Sequence, residues 1–220
     1  KYNKELNLND FHKNIKKKDL NNFRLNLISH INNNKNFKQY YYNICKDYLN
    51  ILVGNELVMQ NNINLSIQMP NDYESLLPLH SDVWSGDSPY EIVVWLPLVD
   101  CYKTKSMYIL KPSYYNSLVN KIKKNKIKDG EKLFQFIEKK INWLTVNYGE
   151  VLIFNQSLPH GNRVNKEKTT RWSMNCRFKS VFSPYGDKKF GEFFSPITLR
   201  PMTEIGMNYK LPNVENDEKI

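Results

Sequence analysis

Between Ile51 and Tyr102 the chain has no lysine and no arginine, although the whole sequence of 220 residues carries 32 of them and a net charge of +10. Cysteine is scarce: Cys45, Cys101 and Cys176 are an odd, widely spaced set. That speaks against a disulfide framework and fits a reducing compartment, so a cytoplasmic protein is expected. Eight glycines and ten prolines are too few for a collagen-like or low-complexity chain. No apolar run approaches the roughly 18–20 residues a membrane helix needs, so no membrane partner is expected. No basic-then-apolar leader opens the sequence, and secretion is not expected. What is present, 40% hydrophobic and 25% charged residues, is a globular composition, long enough for one domain with a core of its own.

The charge is uneven. Residues 1–50 and 103–140 are lysine-rich, whereas residues 51–102 hold seven acids and no cation. That block holds either buried strands or a site for a metal cation. The basic blocks contain mostly lysine mixed with asparagine; only five of the cations are arginine. Nucleic-acid readers rely on arginine and on aromatic platforms set in basic stripes. Neither pattern is present, so no nucleic-acid partner is expected and the lysines dress a solvated surface.

Residues 1–54 carry a helical pattern: Leu6, Leu8, Phe11, Ile15, Leu20, Phe23, Leu27 and Ile31 recur at threes and fours. Asn32-Asn33-Asn34 ends one helix and Gly54 another. From about residue 56 the period changes. Glu56–Gln60, Leu65–Met69, Leu77–Asp82, Ile92–Leu98 and Ser106–Leu110 are short strand-like segments. Residues 113–140 return to a lysine-rich helical pattern with Leu118, Val119, Ile122, Ile127, Leu133, Phe136 and Ile137 as apolar positions, broken at Asp129-Gly130. Strands resume at Ile141–Val146, Val151–Phe154 and Thr170–Val181. From Ser195 to residue 220 three prolines and an acidic end predict an extended tail. The order predicts one α+β domain, mainly β, with a sandwich or barrel core over 55–112 and 141–185.

Only four histidines exist, and His12 and His30 fall in amphipathic helices. His80 and Asp82 are two residues apart in a predicted strand, which would put an imidazole and a carboxylate on one face. His160 stands between Pro159 and Gly161, as expected at a turn that aims a side chain into a cavity. Two His and one carboxylate can occupy one face of a metal ion and leave positions open, the ligand set of non-haem Fe(II) oxygenases. The stretch Thr169–Phe178 alternates: Arg171, Ser173, Asn175 and Arg177 share one face, and Trp172, Met174, Cys176 and Phe178 share a core-facing one. Arginine holds a carboxylate as a rigid fork, which suits a dicarboxylate co-substrate. Each piece occurs by chance; the order His-x-Asp, a 77-residue gap, His, then Arg eleven residues on is far more specific.

In this combination the sequence resembles the Fe(II)/2-oxoglutarate-dependent oxygenases, and within them the phytanoyl-CoA dioxygenase-like branch, over roughly residues 55–185. Val94-Trp95-Leu96-Pro97-Leu98-Val99-Asp100 resembles that branch's Trp-x-x-Leu-x-Asp strand. Ser106–Ser113 resembles the strand that follows, with Lys-Pro-Ser-Tyr where the branch has Pro-Gly-Ser-His. Pro159–Asn162 followed by Thr170–Asn175 is similar to bacterial members from carbohydrate-biosynthesis gene clusters. The resemblance implies a double-stranded β-helix (a cupin-like jelly roll) with residues 1–54 packed outside as helices. It implies Fe(II) on His80, Asp82 and His160, and 2-oxoglutarate held by Arg171 with help from Asn162 and with Trp95 as an apolar wall. It also implies O2 as oxidant, succinate as co-product and a hydroxylated small molecule. Related halogenases lack the carboxylate, and Asp82 is present, which favours hydroxylation.

For the substrate, the sequence offers Arg177, Asn175 and Trp84. Arg177 either meets an anionic substrate group or pairs with an acid of the cation-free block. Trp84, with Asp87 and Tyr90, lines the substrate mouth or belongs to the core. Lys105 and Lys111 are expected to be solvated. A sugar or sugar-derived substrate follows from the resemblance alone. The same ligand set leaves open a zinc-dependent hydrolase, which would need a general base beside the metal, and a non-catalytic sugar-binding jelly roll.

Overall fold

The computed structural model describes residues 6–125 and 129–212. Two short 3-10 turns lead into three helices, α1 (Leu20–Asn33), α2 (Phe37–Asn43) and α3 (Lys46–Val53). Helix α1 stops at the asparagine run, and α3 stops at Gly54, whose φ of +101° suits glycine. Strands β1 (Leu57–Gln60), β2 (Asn64–Gln68), β3 (Ile92–Pro97) and β4 (Tyr108–Leu110) follow. Then come α4 (Tyr115–Asn125) and α5 (Gly130–Ile137), the latter capped by Asp129, which accepts from the Glu131 and Lys132 amides. Strands β5 (Ile141–Trp143), β6 (Leu152–Asn155), β7 (His160–Gly161), β8 (Arg171–Ser180) and β9 (Phe194–Thr198), and helix α6 (Pro201–Asn208), complete the described chain.

The strands form two antiparallel sheets. The larger has the order β6-β3-β8-β1-β9, with β2 also on β8; the smaller has the order β5-β4-β7. Ten-residue β8 is the spine: β1 covers its second half, β2 its first half, and β3 runs along its other side. The alternation expected of β8 is observed. Trp172, Met174, Cys176 and Phe178 are buried against the N-terminal helices, together with Phe11, Tyr41 and Leu49. Phe11 meets Trp172 edge to face at 4.8 Å, and the Tyr41 hydroxyl donates to the Val94 carbonyl. A Leu49→Ala variant is expected to lose about 2–5 kcal/mol of stability. An unchanged denaturant midpoint would mean that α3 carries no part of the core.

Helices α4 and α5 pack on the smaller sheet through Leu118, Leu133, Phe134 and Ile137 around Tyr108. Ile127 and residues 213–220, both part of the sequence expectations, lie outside the described residues. Within them the tail differs from expectation. Residues 194–198 form β9 beside β1, and 201–208 form α6. Pro196 is tolerated because β9 is an edge strand, and Pro201 sits in the first turn of α6, where its missing N–H costs nothing.

Candidate metal centre

Residues 77–82 do not form the expected strand. His80 and His160 exchange a single pair of backbone hydrogen bonds, of 3.0 and 2.8 Å, and the chain then turns into a 3-10 segment, Asp82–Ser85. Pro78 and Pro159 remove donors on either side of this bridge, which helps to keep the ladder short. At Gly161 an added Cβ would lie 2.8 Å from the Leu77 carbonyl and 2.6 Å from the Tyr108 hydroxyl. Glycine is therefore what lets the two segments approach.

The bridge brings the three expected side chains together. One ligand atom each from His80, Asp82 and His160 lies within 4.8 Å of the others. His80 Nε2 is 3.3 Å from Asp82 Oδ1, and the two imidazole centroids are 4.3 Å apart. Each imidazole donates Nδ1–H to a backbone carbonyl, His80 to Pro78 at 2.8 Å and His160 to Leu158 at 2.7 Å. A carbonyl only accepts, so these bonds fix the tautomers and leave both Nε2 lone pairs for a cation.

The electrostatics agree with His160 and Asp82 being already deprotonated. Burial pushes His160 down to about 4, and His80 beside it adds to the effect. Burial works against the Asp82 carboxylate, but the Arg177 guanidinium, which donates to Oδ2, holds it well below the usual carboxylate range. Metal binding requires these forms. The His160 shift also has a sign in stability. Below the ordinary histidine value of 6.5 the unfolded chain takes up a proton that the buried imidazole refuses. Metal-free protein should therefore lose stability as pH falls from 6.5 towards 4, and His160→Gln should flatten that slope. Equal slopes in thermal melts of the two proteins would contradict the burial assigned to His160.

The triad opens into a cavity of about 700 Å³ whose far wall carries Arg171 and Ser173 of β8. Arg171 is 5% exposed; one Nη donates to Ser66 Oγ at 3.0 Å and the other to the Ser106 carbonyl at 3.4 Å. Among the described residues no carboxylate pairs with it, and its Nε has no hydrogen-bond partner. Burial lowers it to about 10, which leaves it charged at neutral pH. The Ser173 hydroxyl, opposite Ser66 in the β2–β8 register, is also buried without a partner. A buried guanidinium with no carboxylate partner among the described residues and a free Nε, beside a hydroxyl that lacks a partner, suits a small carboxylate in this cavity.

The other expected site residues divide. Trp95 is buried in the cavity wall and Asn175 lines it, accepting from Asn64 Nδ2 at 3.2 Å. Asn162 also lines it, but its amide holds backbone: Oδ1 accepts from the Leu77 amide and Nδ2 donates to the Ser75 carbonyl. It clamps the segment that leads to His80. Trp84 is 41% exposed on the 3-10 turn and lies outside the cavity wall. Arg177 lines the cavity, yet its guanidinium faces three acids of the cation-free block, Asp82, Asp87 and Glu91.

Sequence reasoning missed three features. Ser66 is placed by the β2–β8 register. The expected outer position of the N-terminal part is incomplete: Lys17, Asn21 and Arg24 close one side of the cavity, because α1 packs on β2 and Arg24 donates to the Leu65 carbonyl. Lys105, expected in solvent, is 1% exposed and donates to Asn9 Oδ1 at 2.7 Å, whereas Lys111 is exposed.

No family model matches the chain, and no curated protein matches it by sequence. Solved structures do resemble it. Apo HygX from Streptomyces hygroscopicus superposes with a TM-score of 0.55 at 13% identity, covering 78% of this chain and 81% of HygX. HygX with nickel and 2-oxoglutarate bound gives 0.51 at 14%, covering 80% and 82%. The nickel complex of the non-haem monooxygenase ThoJ gives 0.50 at 17% identity, covering 70% of this chain and 56% of ThoJ, so the chain spans little more than half of that protein. The α+β, mainly antiparallel scaffold described above is the fold that these proteins share. Among the described residues no helix is long and apolar enough to cross a membrane.

Proposed function

We propose that the chain is an Fe(II)/2-oxoglutarate-dependent oxygenase that hydroxylates a polar small molecule. One observation carries the proposal: His80, Asp82 and His160 converge on one point of a cavity whose far wall holds Arg171, buried and without a carboxylate partner among the described residues. The donor set fits a divalent iron. When bound, iron and 2-oxoglutarate supply O2 activation, with 2-oxoglutarate oxidised to succinate and CO2. The protein supplies the remainder. His80 and His160 present fixed Nε2 atoms, and Asp82 presents a carboxylate. Arg171, with Ser66 and Ser173, holds the distal carboxylate of 2-oxoglutarate. Trp95, Val93 and Phe154 give the cavity apolar wall, which limits water at the reacting centre.

The core would be a double-stranded β-helix formed by the two sheets, of the phytanoyl-CoA dioxygenase-like branch. A sugar or sugar-derived substrate is supported by the polar wall beyond the triad, where Asn21, Asn64, Asn175 and Arg24 offer hydrogen-bonding groups. A reducing, cytoplasmic setting suits the three cysteines, all free and buried. The test is release of CO2 from 2-oxoglutarate by metal-free protein given Fe(II) or Zn(II). Release with Fe(II) alone supports the proposal. Hydrolytic activity restored by Zn(II), with no CO2 from either metal, would replace it with a zinc hydrolase.

A further inference from the structure

We infer that Arg177 is a positioning residue that makes Asp82 a one-oxygen metal ligand: the guanidinium takes Oδ2 and leaves Oδ1 for the cation. The inference rests on the metal reading above and gives a role to a residue that reading does not use.

Arg177 lies six positions beyond Arg171 on β8, on the same cavity-facing side. Its Nε donates to Gln156 Oε1 at 2.8 Å, and one Nη lies 3.0 Å from Asp82 Oδ2 and 3.6 Å from Asp87 Oδ2. The Gln156 amide is itself held, since its Nε2 donates to the Ser88 carbonyl at 2.9 Å and to Glu91 Oε2 at 2.8 Å. The fork therefore meets Asp82 from one fixed direction. Lys188 pairs with Asp87 at 2.6 Å, and the Phe193 ring lies 5.9 Å from the guanidinium carbon.

Asp82 Oδ1 points the other way, 3.3 Å from His80 Nε2, on the side where the three ligands converge. A cation that took both oxygens would have to displace a charge-assisted hydrogen bond. The anions Arg177 meets are the protein's own, Asp82, Asp87 and Glu91, so its charge is not spare for a substrate. A lysine would keep the charge but not the planar fork that joins Gln156 to Asp82.

The test is a Co(II) titration of metal-free protein, followed by calorimetry and by the visible absorption of the bound ion, for wild type, Arg177→Gln and Arg177→Lys. Arg177→Gln should weaken Co(II) binding about 10–100-fold, the range for partners that orient a ligand. It should also change the absorption band, because the freed carboxylate can chelate. Arg177→Lys keeps a cation beside the three acids, so it should fold, regain part of the affinity, and still show the altered band. A folded Arg177→Lys protein with wild-type affinity and wild-type band overturns the inference, and it decides alone if Arg177→Gln does not fold. Wild-type protein that binds no Co(II) fails at an earlier point: it removes the metal reading and the inference with it.

Discussion

Arg171→Leu should abolish useful 2-oxoglutarate binding while leaving the metal-free protein at least as stable as wild type. The two halves have one cause. Arg171 is buried, charged, and has no carboxylate partner among the described residues. An uncompensated buried cation is a cost to the free protein, and a hydrophobic side chain of similar bulk removes it. Bound 2-oxoglutarate would provide the missing anion, so losing the pair costs binding on the order of 2–5 kcal/mol. That corresponds to a dissociation constant roughly thirty- to several-thousand-fold higher. Calorimetry with 2-oxoglutarate on metal-loaded protein measures the first half and denaturant unfolding the second. A variant that is strongly destabilised yet binds 2-oxoglutarate normally would make Arg171 a structural residue.

His80→Ala should remove metal-dependent turnover and leave a folded protein. The His80 side chain is 26% exposed and makes one hydrogen bond, to the Pro78 carbonyl, besides its contact with Asp82. The backbone bridge to His160 does not depend on the side chain. Asp82 stays in place because Arg177 holds its other oxygen. Removing one of three ligands should weaken metal binding by more than the ~100-fold that loss of an orienting partner costs. Circular dichroism checks the fold and a metal titration checks the site. Wild-type metal affinity in the variant would mean that the ion sits elsewhere.

Much of this arrangement is legible in the sequence, where the pattern is local. The alternation in Arg171–Phe178 separates a core face from a cavity face, and Gly54 and Asp129-Gly130 mark helix limits that the structure shows. The pairing of His80 with Asp82 is legible too, although its geometry is not. A strand would have put them on one face; instead a single bridge and a turn do so, because prolines flank the bridge.

Long-range pairing is what the sequence conceals. The cation-free block poses a question of charge whose answer lies elsewhere: Arg177, Lys188 and Lys17 reach into it from distant segments. Arg177 thus pairs with the protein's own acids, an outcome that no local pattern distinguishes from substrate binding. The tail was opaque for a related reason. Pro196 and Pro201 suggest irregular chain, yet a sheet edge and a helix start both accept proline. Asn162 has its amide engaged by the 75–77 backbone, a partner 85 residues away.

The central claim is that iron and 2-oxoglutarate share one site built from His80, Asp82, His160 and Arg171. Its most direct test is to add 2-oxoglutarate to Fe(II)-loaded protein without oxygen and record the visible spectrum. A new absorption band that needs both iron and 2-oxoglutarate, and that Arg171→Leu shifts to far higher 2-oxoglutarate concentration, is the predicted result. Iron that binds tightly while 2-oxoglutarate leaves the spectrum unchanged at any concentration would contradict it.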